Sequence, residues 1–116
     1  MDVAILEGKE YIPDWNNNKK EAKPIKVILQ PLTAGERAIL LEKIVNDMDA
    51  DYISYGVKCA VKGIENLSVG GKAIKTGDQL LNSRGVGLDV LVLDIGKEVI
   101  VLNKRRDLKN SSPPSG

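Results

Sequence analysis

Apolar positions in this chain change period three times, and each change marks an element. Ile25, Val27 and Leu29 alternate with Lys26, Ile28 and Gln30, the period of a strand over 25–30, although Ile28 leaves one face not cleanly polar. Pro24 and Pro31 bracket this run, which places it at a sheet edge. Thr33 and Glu36 then stand at capping-box spacing, and Ile39, Leu40 and Ile44 follow at helical spacing. Leu41 and Val45 widen that face, and the pattern predicts a helix over 34–47. Tyr52, Ile53, Gly56, Val57, Ala60 and Val61 continue a helical period over about 50–62, with Asp49 or Asp51 as cap.

The period then shortens. Ile64 to Val69 and Lys72 to Lys75 read as two short strands around Gly70-Gly71, a pair suited to a tight hairpin turn. Thr76 precedes Gly-Asp-Gln-Leu-Leu and is placed to cap a short helix over 77–82. Gly85 and Gly87 form a turn into the last element. Leu88, Leu91, Val92, Ile95, Val99 and Leu102 fit a helix over 88–102 that ends on Lys104-Arg105-Arg106. The same stretch is rich in Val and Ile, so two strands, 88–93 and 99–102, with a turn at Gly96-Lys97 are the alternative.

The ends carry less pattern. Val3 to Leu6 reads as a short strand or a docking segment, Pro13 blocks a regular helix, and Asn16-Asn17-Asn18 favours a turn. Residues 1–23 are therefore expected to be loosely ordered, 24–109 to form one globular helical domain, and 110–116, mostly Ser, Pro and Gly, to be a disordered tail. The expected fold class is mainly α with a small β component, α+β, with three to four helices and a short hairpin.

Composition narrows the function classes. With no Phe, one Trp and three Tyr among 116 residues, the core must be built from Ile, Leu and Val. A net charge of +1, with Lys and Arg scattered, gives no basic stripe, so nucleic acid is not an expected partner. No run reaches membrane-spanning length, and the first ten residues are too acidic and too briefly apolar for a signal peptide. The chain has no His and a single Cys, Cys59, which fits a reducing compartment and removes the usual zinc and haem ligands. Cys59 also has no histidine base to activate it.

The remaining candidate chemistry is slight. Asp47, Asp49 and Asp51 could offer oxygens to a cation but lack the Gly and Glu of a calcium loop, and they read as a polar capping turn. The glycine pairs do not form a phosphate loop. No catalytic, metal or cofactor site is therefore expected, and the chain reads as a binding protein rather than an enzyme. Tyr11 and Trp15 form the one N-terminal aromatic cluster. It suits either a partner-docking surface or a plug folded back onto the small core.

The order of these features resembles a family. Tyr11-Ile12-Pro13-Asp14-Trp15-Asn16 is followed by a strand ending Pro31-Leu32-Thr33 and by Glu36-Arg37 in a helix. Then come Ile64-Glu65-Asn66-Leu67-Ser68, Gly71, Ile74, Thr76-Gly77, Leu80-Leu81, a final helix and a polar tail. Across nearly its whole length the chain resembles the small tail assembly chaperones of long-tailed bacteriophages.

The resemblance implies a mostly helical, non-enzymatic protein of the bacterial host cytoplasm. Such a protein binds the tape measure protein, keeps it soluble while tail tube subunits polymerise around it, and is absent from the mature virion. Ile39, Leu40 and Ile44, or the face of the final helix, would receive an apolar partner helix, although most of these positions also suit a core. Many such chaperones occur in a short form and a frameshifted longer form. Leu108-Lys109-Asn110 is compatible with a backward-slip site, which would make this chain the short form. A structural tail or head-completion subunit and a small cellular adaptor domain are the alternatives, and a homo-oligomer is a further option.

Overall fold

The computed structural model describes residues 1–46 and 51–111, with side chains as far as Asn103. Asp47, Asp49 and the tail beyond Ser111 lie outside the described residues, as do the side chains of Lys104 to Asn110. The architecture is α+β: a three-stranded antiparallel sheet, a two-stranded hairpin and four α-helices among the described residues.

Strand β1 (Lys9–Tyr11) pairs with β2 (Lys26–Leu29), which pairs with β3 (Val61–Glu65). Alternation puts Val27 and Leu29 on the inner face of β2, and a one-residue irregularity in β3 opposite Ile28 and Leu29 brings both Val61 and Ile64 to the same face, where all four are buried. The placement of β2 at an edge is thereby corrected. Pro24 and Pro31 fall outside its paired residues and remove no ladder donor, so the strand occupies the centre. Its partner is β1, which comes from a segment expected to be loosely ordered. Residues 1–8 carry no regular element, so of the two readings of Val3 to Leu6, a short strand or a docking segment, the strand does not form, and the N-terminal strand is Lys9–Tyr11.

Helix α1 (Ala34–Val45) starts at the foreseen capping box. Glu36 N–H donates to Thr33 Oγ1 at 3.1 Å, and Thr33 N–H donates to Glu36 Oε1 at 2.9 Å. Helix α2 (Tyr52–Ala60) begins after Asp51, whose side chain makes no cap bond. Its carboxylate instead accepts from Lys43 Nζ at 3.1 and 3.2 Å, tying the end of α1 to the start of α2. Chain that reads as the end of α2 becomes β3, because pairing with β2 takes over at Val61.

The expected strand 64–69 is broken at Asn66, which sits at φ 65° and donates from Nδ2 to Pro24 O at 2.9 Å. Asn tolerates this left-handed backbone better than most residues, so the chain turns there. Beyond it, β4 (Ser68–Val69) and β5 (Lys72–Ala73) form the hairpin, with Gly70 at φ 58° and Gly71 at φ 80° in its turn. Thr76 caps α3 (Gly77–Leu81), accepting from Gln79 N–H at 3.1 Å.

The last element is one helix, α4 (Leu88–Ser111). Leu88, Leu91, Ile95, Val99 and Leu102 line its buried face, and together with Val57, Leu80, Leu29 and Leu40 they form the core. The alternative turn at Gly96-Lys97 does not occur, because Gly96 has a packing role. It is buried where α2 crosses α4, and a Cβ there would stand 2.5 Å from Ile53 Cγ2. Glycine costs a helix interior about 1 kcal/mol relative to alanine, and here it permits the close approach. The helix also runs through Asn110 and Ser111, the first two residues assigned to the disordered tail.

Candidate functional site

Two regions held the candidate residues, and the fold treats them differently. In the N-terminal region, β1 brings Tyr11 beside α4, where its hydroxyl donates to Asp94 Oδ1 at 2.7 Å. Lys9 forms an ion pair with Glu98, one turn further along the helix. Trp15 opens a 3-10 segment (Trp15–Lys20), and its indole Nε1–H donates to Gly87 O at 3.1 Å. Both aromatics are half-buried against the core. Of the two readings open for Trp15, the plug describes its position.

The contacts step along α4 in reverse: residue 9 to 98, 11 to 94 and 15 to 87. Residues 9–15 therefore form a strap running antiparallel to the helix. Burial, the bond to Asp94 and the nearby carboxylate charges of Asp94, Glu98 and Asp14 raise the pKa of Tyr11 far above its ordinary value. The phenol thus stays neutral and keeps donating.

Behind the strap, Asn18 is almost wholly buried and forms three bonds. It donates from Nδ2 to Pro13 O at 2.8 Å and to Ile25 O at 3.1 Å, and accepts at Oδ1 from Ile25 N–H at 2.7 Å. The polar run 16–20 was read only as a turn, and nothing in its composition distinguishes this buried Asn from its two exposed neighbours.

The second region is α1. Leu40 is 1% exposed and reaches the core at Gly56, so it cannot touch a partner in this fold, and its assignment as a contact residue is corrected. Ile44 is half-buried against the same core, whereas Ile39 is 45% exposed. The three residues therefore do not share one accessible face.

An accessible apolar face does exist, on the other side of the helix. Ala34, Ala38, Leu41 and Val45 stand at i, i+4, i+7 and i+11 and are all exposed, Leu41 at 40% and Val45 at 79%. Their spacing was present in the sequence. It was obscured because Ile39, Leu40 and Ile44 are larger and suggested the inner face as the apolar one. Helix α4 also presents Val90, Leu93 and Val101 outward.

The described side chains offer little for catalysis. No group of three or more Cys, Asp or Glu able to hold a metal lies among the described residues. Cys59 is half-buried near Glu36 and Tyr55. Burial and the Glu36 charge push its thiol above the ordinary value, against a smaller lowering by the Tyr55 hydrogen bond, so the thiolate is disfavoured. An open groove of about 790 Å³ lies on the outer sheet face beside Ile28 and Gly63, edged by Lys23, Glu65 and Lys75. Among the described residues no helix is long and apolar enough to cross a membrane. No family model, curated protein or solved structure matches the chain.

Proposed function

We propose that this protein is a non-enzymatic tail assembly chaperone of a long-tailed bacteriophage. It acts in the host cytoplasm, binding the tape measure protein while tail tube subunits polymerise, and it leaves before the virion matures. The observation that carries this reading is the ordered set of segments that resembles the family, from Tyr11-Ile12-Pro13-Asp14-Trp15-Asn16 through Thr76-Gly77 and Leu80-Leu81 to the final helix.

The outer face of α1 supports it. An apolar stripe of Ala34, Ala38, Leu41 and Val45 suits the apolar side of a partner helix. Small residues at one end let a helix approach closely, and Leu41 and Val45 supply the apolar area. Exposed contacts of this size give weak, reversible binding, as a partner that must later be released requires.

Co-expression with the long tape measure protein encoded beside it tests the reading. The expected outcome is a soluble complex that purifies through a tag on either protein. Leu41→Lys with Val45→Lys is expected to reduce recovery of that complex while leaving the chaperone folded. An insoluble large protein with no complex overturns the reading. Stoichiometric presence of the chain in purified particles favours the structural-subunit alternative. The short-form reading requires a Leu108 codon ending in A and an AAA codon for Lys109.

A further inference from the structure

Helix α4 turns one face to the core and one flank to the strap, and a further face looks outward. Val90, Leu93, Lys97 and Val101 stand on it at i, i+3, i+7 and i+11, with Val90 55% exposed, Leu93 47% and Val101 41%. Three aliphatic side chains thus project along one line of a helix that is otherwise packed.

The charges on this face are symmetric in position and opposite in sign. Asp89 and Lys97 lie four residues before and four after Leu93, about 6 Å along the axis in each direction and about 40° to either side. Both are exposed, and neither forms an ion pair among the described residues. The carboxylates on the strap side differ: Asp94 already accepts from Tyr11, and Glu98 is paired with Lys9.

We infer that this face pairs with the same face of a second copy, the two α4 helices running antiparallel. A two-fold axis through Leu93 exchanges the positions of Asp89 and Lys97. Asp89 of each copy then faces Lys97 of the other, Leu93 packs on Leu93, and Val90 falls between Leu93 and the half-buried Ile100 of the other copy. A parallel pair would set like charges together at both positions. The contact is isologous, so one patch supplies both halves of the charge pattern, and a second copy is the occupant that carries it. A single helix stripe is small beside the roughly 1,200–2,000 Å² of stable complexes, so the pair is reversible and forms at high concentration. It uses α4 and leaves the α1 stripe and the chaperone reading untouched.

Sedimentation equilibrium of the full chain over a range of concentration and salt tests the pairing. The expected result is a dimer fraction that grows with concentration and falls as salt rises. Leu93→Lys, at the symmetry axis, is expected to abolish it. Asp89→Lys and Lys97→Asp are each expected to raise the dissociation constant about tenfold, and mixing the two variants is expected to restore a dimer, because each supplies the charge that the other lacks. That recovery is the decisive readout. Asp89 also lies in the first turn of α4, where a cation is unfavourable, and a merely weakened helix is not rescued by a second protein. A chain monomeric at every concentration, swapped variants that associate as well as the parent, or a mixture that does not recover overturns the pairing. If Leu93→Lys removes binding of the co-expressed tape measure protein while the parent chain alone stays monomeric, the face belongs to that partner and the pairing is likewise overturned.

Discussion

Helices α1 and α4 are both rich in aliphatic residues, yet one is held from several sides and the other from one. Helix α4 lies in the core with Leu91, Ile95 and Val99 fully buried, α2 crossing it at Gly96 and the N-terminal strap along its flank. Helix α1 packs on α2 and has one buried residue, Leu40, with Leu41 and Val45 facing outward. Aliphatic content alone therefore does not indicate burial here. Neighbours on several sides do, and among the described residues α1 packs mainly on α2, which leaves Leu41 and Val45 exposed.

The sharpest way to break this contrast is to truncate adjacent leucines. Leu40→Ala is expected to cost about 2–5 kcal/mol through lost burial and a residual cavity, whereas Leu41→Ala is expected to stay within about 0.5 kcal/mol. Urea unfolding of the two variants measures the difference, and equal losses would mean that α1 is covered on both sides. Next in size is Gly96→Val, which drives two methyl groups toward Ile53. It is expected to destabilise by about 1–3 kcal/mol, read as a lower Tm, with Ile53→Ala restoring part of the loss in the double variant.

Loss of the α1 capping box comes third. Thr33→Ala leaves Glu36 N–H without its side-chain acceptor at a solvated helix end, for an expected cost of about 1 kcal/mol, seen in the same urea titration. The smallest effect is on pH dependence. Tyr11 has a raised pKa in the folded state, so its contribution is fully present below its ordinary value near 10 and declines as pH rises above it. Stability followed from pH 8 to pH 11 is expected to fall less steeply in Tyr11→Phe than in the parent.

Elements encoded by contiguous residues were legible in the sequence. The α1 capping box, the Gly70-Gly71 turn and the Thr76 cap each depend on groups within a few positions, and each stands where its residues place it. Long-range placement was not legible. The central position of β2 depends on a strand sixteen or more residues upstream, and the continuity of α4 through Gly96 depends on Ile53 crossing there. Among the candidate contact residues, Ile39, Leu40 and Ile44 share a helix but not an environment. The apolar pattern identified the helix as amphipathic without showing which side would find a neighbour.

By itself, then, the sequence determined an aliphatic α+β domain, the capped starts of α1 and α3, the hairpin turn, and the absence of histidine chemistry, because all of these follow from residue type and local spacing. Only the tertiary structure decided that Tyr11 and Trp15 close back on α4, that Leu40 is core while Leu41 is surface, and that Asn16 and Asn17 reverse the chain. The physical reason is that burial, close approach and chain reversal belong to pairs of segments far apart in the chain. A single segment carries the capacity for each, and its neighbour in space decides which one is used.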